Sequence, residues 1–127
     1  MSTNTQTSTG AFLTDAALQQ VAQTIRNQIS IGVLMALGAH KLHYTTVDGD
    51  PALAFNVKVL PFNKQGKRLH TPRIMKLTIQ LTAMDDYTIT VSYTKQGETV
   101  IHDRFEIVYF DDLNRVLLSI DSMNDRS

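Results

Sequence analysis

The stretch RIMKLTIQLTAMDDYTITVSYT, residues 73–94, decides the fold. Met75, Leu77, Ile79 and Leu81 alternate with Lys76, Thr78, Gln80 and Thr82. After AMDD the alternation resumes with Tyr87, Ile89, Val91 and Tyr93. A period of two sends successive side chains to opposite faces of a strand. One face of this pair is apolar and the other rich in threonine, as in an antiparallel hairpin with one buried and one wet side. The tight AMDD turn sets its register, with Leu81 facing Tyr87 and Ile79 facing Ile89.

Upstream, Leu53, Phe55, Val57 and Val59 alternate with Ala54, Asn56 and Lys58, which predicts a further strand. A register pairing Val57 with Leu77, Phe55 with Ile79 and Leu53 with Leu81 joins it to the hairpin and sets Lys58 opposite Lys76. The VDGDP turn precedes it, and the period of two extends back to His40. Downstream, the KQGE turn leads to a last strand from about Thr99 to Ile107. There Ile101, Phe105 and Ile107 would share a face with Asp103, so a bulge or an edge position is expected.

Helical spacing flanks the strands. Thr14 is placed to cap a helix running to about Ile29, with Asp15 in its first turn and Leu18, Val21, Ala22, Ile25 and Ile29 on one stripe. ISIGVLMALGA reads as a short second helix ended by Gly38 or as a connector, buried either way because it carries no charge. Asp111 or Asp112 opens a final helix whose Leu113, Val116, Leu117 and Ile120 share a face. The predicted fold class is α+β: an N-terminal helix, a four- or five-stranded antiparallel meander and a C-terminal helix, in two layers with the helices on one sheet face. Residues 1–13 read as a disordered polar tail, 14–121 as a single domain and 122–127 as a short polar tail.

A chain of 127 residues suffices for one core. It has no cysteine, which excludes disulfides, thiolate metal sites and cysteine nucleophiles. With neither a secretory leader nor an apolar run long enough to span a bilayer, the sequence predicts a soluble cytoplasmic protein.

Net charge is zero, but its distribution is uneven. Residues 51–84 carry six basic side chains and no acidic one, while residues 85–127 carry nine acidic and four basic ones. The basic set is centred on PFNKQGKRLHTPR, residues 61–73. Lys58, Lys64, Lys67, Arg68, His70, Arg73 and Lys76 form the candidate nucleic-acid-binding site, because a phosphate backbone rewards clustered cations by releasing its condensed counterions. A solvated, aggregation-resistant hairpin is the plainer explanation of the same residues. Base-stacking platforms are scarce: Phe55, Tyr87 and Tyr93 fall on the inward register, leaving Phe62 and Tyr44.

Other chemistry finds little support in the sequence. His40 and His43, three apart in a strand, are expected on opposite faces and so do not share a metal ion. Asp85-Asp86 and Asp111-Asp112 read as a turn and a helix start. HExxH, glycine-rich phosphate loops and serine-nucleophile motifs are all absent. Neither an enzyme nor a cofactor is expected.

The blocks TIRNQISIGVLMALGAHKL, PRIMKLTIQLTAMDDYTITVSY and VYFDDLNRVLL together resemble a family of small uncharacterised phage and prophage proteins across roughly residues 24–118. Phe110 stands where that family's closing motif has alanine. The resemblance implies a viral or mobile-element origin and supplies no site residues. Two roles are therefore expected, neither of them at a membrane. The first is a phage accessory protein binding nucleic acid. The second is a module whose acidic half binds a host protein, to inhibit or recruit it; a homodimer is compatible with either.

Overall fold

Five antiparallel strands lie side by side in chain order: β1 (His40–Val47), β2 (Asp50–Val59), β3 (Arg73–Leu81), β4 (Tyr87–Lys95) and β5 (Glu98–Val108). Helices α1 (Asp15–Gln28) and α2 (Ile31–Ala36) precede them. A 3-10 turn (Phe110–Asp112) and α3 (Leu113–Asp125) follow. The structure, a computed structural model, describes residues 14–59 and 73–125. The α+β class and the meander expected from the sequence are both present. Residues 1–13, 60–72 and 126–127 lie outside the described residues, and residues 122–125, expected in the polar C-terminal tail, instead continue α3.

All three helices cover one sheet face. Ala22, Ile25 and Ile29, Val33, Leu34 and Leu37, and Leu113, Val116, Leu117 and Ile120 pack in one core with Leu53, Phe55, Val57, Met75, Leu77, Ile79, Ile89 and Val91. The alternating apolar set of each central strand is thus the helix-facing set, as its period requires.

The helix ends follow from their sequences. Thr14 accepts a hydrogen bond from the Ala17 amide at 3.1 Å, and Ser30 accepts one from Val33 at 3.2 Å, each satisfying a first-turn donor. Gly38, at φ +63°, ends α2 with Ala39 N donating to Leu34 O and Gly38 N to Met35 O. The segment expected to be buried throughout is amphipathic instead: Ile31 and Met35 are 67% and 76% exposed. A single short helix resting on a sheet buries only one side.

An amide joins the helices. Asn114 of α3 donates from Nδ2 to Gln28 O at 2.9 Å and accepts from Ser30 N at 2.8 Å, pairing two backbone groups that the α1–α2 junction leaves free. The Tyr87 hydroxyl donates to Gln28 Oε1 at 2.6 Å, so the sheet is tied to the same junction.

The β3–β4 register is the expected one, with Leu81 opposite Tyr87 and Ile79 opposite Ile89. The β2–β3 register differs by two residues: Phe55 pairs with Leu77, Leu53 with Ile79 and Val57 with Met75. A slide of two preserves the face and changes only the partners. Lys58 now lies opposite Ile74, and Lys76 opposite Asn56, which removes the like-charge pair of the expected register.

Bulges shape both edges. On β5 the partner of Val91 is Asp103 and that of Ser92 is Ile101, so His102 is the extra residue. Asp103 therefore occupies the core-facing register at the exposed edge, while Ile101 turns to the opposite face and is 53% exposed. A second irregularity lies between the Ile89–Phe105 and Tyr87–Val108 pairs, where Ile107 has φ +57°. On β1 a bulge at Lys41, φ +59°, brings both His40 and His43 to the side away from the helices, opposite Asn56 and Ala54. The expectation that they face opposite ways was incorrect, because the extra residue shifts the alternation by one.

Candidate nucleic-acid interface

The meander sorts charge by end. The β1–β2 turn, with Asp48 and Asp50, and the β3–β4 turn, with Asp85 and Asp86, lie at one end of the sheet. The end of β2, the start of β3 and the β4–β5 turn lie at the other, where Lys58, Arg73 and Lys95 stand with a single acidic residue, Glu98, opposite Lys95. In sequence the polarity is a basic middle and an acidic C-terminal part. In space it runs along the strand axis.

Of the expected site residues, Lys58 and Lys76 project from the face away from the helices, and both are exposed. Lys58 is held by its backbone, whose N–H donates to Leu37 O at 2.8 Å. Its stem lies against Gly38, where an added Cβ would meet Lys58 Cβ at 3.3 Å. Gly38 thus serves both the left-handed turn and the close approach of the lysine stem.

Arg73 does not join them on that face. It shares the register of Met75 and Leu77, and its guanidinium carbon sits 4.5 Å from the centre of the Tyr93 ring. Tyr93 meets His102 edge-on, with centroids 6.5 Å apart. A guanidinium on an aromatic face keeps its charge and its N–H donors while losing freedom of movement. Lys64, Lys67, Arg68 and His70 lie outside the described residues.

Within the described residues, ion pairs join Arg104 to Glu106 at 2.9 Å and Arg115 to Asp112 at 3.2 Å. Lys58, Arg73 and Lys76 have no carboxylate partner there. Their charge is uncompensated locally and open to an external anion.

The face carrying Lys58 and Lys76 holds no Phe, Tyr or Trp among the described residues. Tyr44, a candidate stacker by sequence, lies opposite Leu53 on the helix side. Ala52 and Ala54 are fully buried between larger neighbours, Thr45 and Gln80 in one row and His43 and Thr78 in the next. Small residues between longer ones make a hollow surface rather than a flat one.

His40 and His43 each place Nδ1 2.9 Å from a backbone carbonyl, those of Gly38 and Lys41. Among the described residues no group of three or more His, Cys, Asp or Glu side chains is placed to hold a metal ion, and no helix is long and apolar enough to cross a membrane.

Two features had no sequence signal. The Arg73–Tyr93 stack joins residues twenty apart whose contact depends on register, and Asn114 is an ordinary helix residue until the α1–α2 junction is placed beside it. Compared with known proteins, the chain matches no family model, no curated protein and no solved structure.

Proposed function

We propose that this is a non-enzymatic phage accessory protein that acts in the host cytoplasm and binds the backbone of nucleic acid through the basic end of its sheet. The observation carrying this reading is the set of cations at that end, Lys58, Arg73 and Lys76, without carboxylate partners among the described residues. Lys64, Lys67, Arg68 and His70 of the β2–β3 connection add to them by sequence. Phosphates supply the complementary charge, and counterion release supplies the free energy.

The test is a salt titration of binding to labelled DNA and RNA. The wild type is expected to show log K falling linearly with log salt. Replacing Lys64, Lys67 and Arg68 with glutamine is expected to flatten the slope by roughly two to three, about one per lost phosphate contact. Millimolar wild-type binding near physiological salt would refute the reading.

A second reading, a module that binds a host protein, is favoured by a different surface. Ile31 and Met35 stand exposed beside a depression of about 310 Å³ that Leu42 also lines. Apolar residues grouped in this way mark protein contacts more often than scattered ones do. Capture of one host protein from lysate, lost on Met35→Lys, is the outcome that would support it.

A further inference from the structure

The sheet face away from the helices contains a depression of about 540 Å³ at its basic end, lined by Asn56, Lys76, Thr78, Ser92, Thr94 and Thr99. The registers explain its composition. Asn56, Lys76 and Ser92 form one row across β2, β3 and β4, and Thr94 pairs with Thr99 across β4 and β5. Strands about 4.8 Å apart set these rows of donors at a close, regular spacing. Ile74, 55% exposed and opposite Lys58, stands at the rim.

Its outward-register polar side chains are therefore one ammonium, one carboxamide and four hydroxyls, with no carboxylate; Met75 and Tyr93, of the helix-facing register, also border it. Such groups donate hydrogen bonds, and the hydroxyls and amide also accept them. Ser92 is the decisive member. It is only 9% exposed, yet its hydroxyl has no hydrogen-bond partner among the described residues. Buried polar groups are almost always paired, so an unpaired one opening into a depression points to a partner from outside the chain.

We infer that this depression seats one sugar–phosphate ridge of a nucleic-acid duplex. This rests on the reading of the basic end as a backbone-binding surface and extends it from charge to a built site. Lys76 faces a phosphate, while the Ser92, Thr94 and Thr99 hydroxyls and the Asn56 amide donate to phosphate oxygens. These contacts position a backbone without reading its sequence. The duplex follows from what the face lacks. A single strand brings unstacked bases that need aromatic platforms, and the outward register of this face has none among the described residues, because Tyr93, which borders the depression, packs against the core. A duplex keeps its bases stacked inside and presents only the ridge.

The experiment separates hydroxyl contacts from charge. The variant Ser92→Ala/Thr94→Val/Thr99→Val removes donors, leaves net charge unchanged and keeps strand-forming side chains. Binding to a fluorescein-labelled DNA duplex of mixed sequence, and to one of its single strands, is measured at several salt concentrations. The variant is expected to bind the duplex about tenfold or more weakly, the loss of a few charge-assisted hydrogen bonds, with the wild-type salt slope. If it melts early, Asn56→Ala/Thr78→Val at the other side of the depression decides by the same criterion. Duplex affinity equal to wild type in a folded variant overturns the depression as the seat and leaves backbone binding elsewhere intact. Wild type that prefers the single strand overturns the choice of duplex. Wild type that binds neither overturns both this inference and the function on which it rests.

Discussion

Leu77 and Thr78 are neighbours in β3 with opposite surroundings. Leu77 is fully buried between Phe55 and Val91, while Thr78 lies on the far face between Ala54 and Thr90. Leu77→Ala is expected to destabilise the fold by about 2–5 kcal/mol, from lost transfer energy and the cavity left behind. Thr78→Ala should stay within about 1 kcal/mol. Chemical denaturation measures both, and equal costs would contradict the face assignment. Tyr87 tests burial by pH. Desolvation raises its phenol above the ordinary 10.0, and the negative charge of Asp85 adds to the rise. A folded-state value above the unfolded one gives stability that is complete below about pH 10 and lost as pH rises through the folded value. Thermal melts should therefore show an alkaline loss of stability that Tyr87→Phe reduces. An unchanged alkaline profile in Tyr87→Phe would assign that loss to another group.

At the level of elements, α1, α2 and α3 meet at Asn114, whose amide serves Gln28 O and Ser30 N together. Asn114→Ala leaves both groups short of a partner and should cost about 1–3 kcal/mol. Asn114→Asp keeps the acceptor for Ser30 N but sets a carboxylate oxygen against Gln28 O, so it should not rescue the loss. Full stability of Asn114→Asp in a denaturation series would show that the Nδ2 bond contributes nothing. This junction was illegible in the sequence because an asparagine in the first turn of α3 gives no sign of partners more than eighty residues away. The strands were more legible, since a period of two fixes faces directly. The short β3–β4 turn also fixed its register, whereas the long β2–β3 connection left room for a slide of two residues. At the edges, Asp103 announced an irregularity on β5, but nothing in HKLHY announced the bulge at Lys41 that aligns His40 with His43.

For the whole molecule, zero net charge conceals an axis, with aspartates in two turns at one end and uncompensated cations at the other. The charges of the candidate site could be counted in the sequence, but their directions could not. Lys58 and Lys76 share a face, while Arg73, between them in the chain, turns to the helix side and stacks on Tyr93. The polar depression was equally hidden, because its lining comes from four strands and exists only in register. A polarised molecule meets a polyanion basic end first. The most direct test of the account compares two charge-neutralising pairs that change net charge equally. Lys58→Gln/Lys76→Gln removes two cations from the basic end, and Arg26→Gln/Arg115→Gln removes two from helices α1 and α3. Measured as log K against log salt on a DNA duplex, the first pair should flatten the slope by about two and the second should leave it close to wild type. Equal flattening by both pairs would show that binding follows net charge alone and would contradict the basic end as the site.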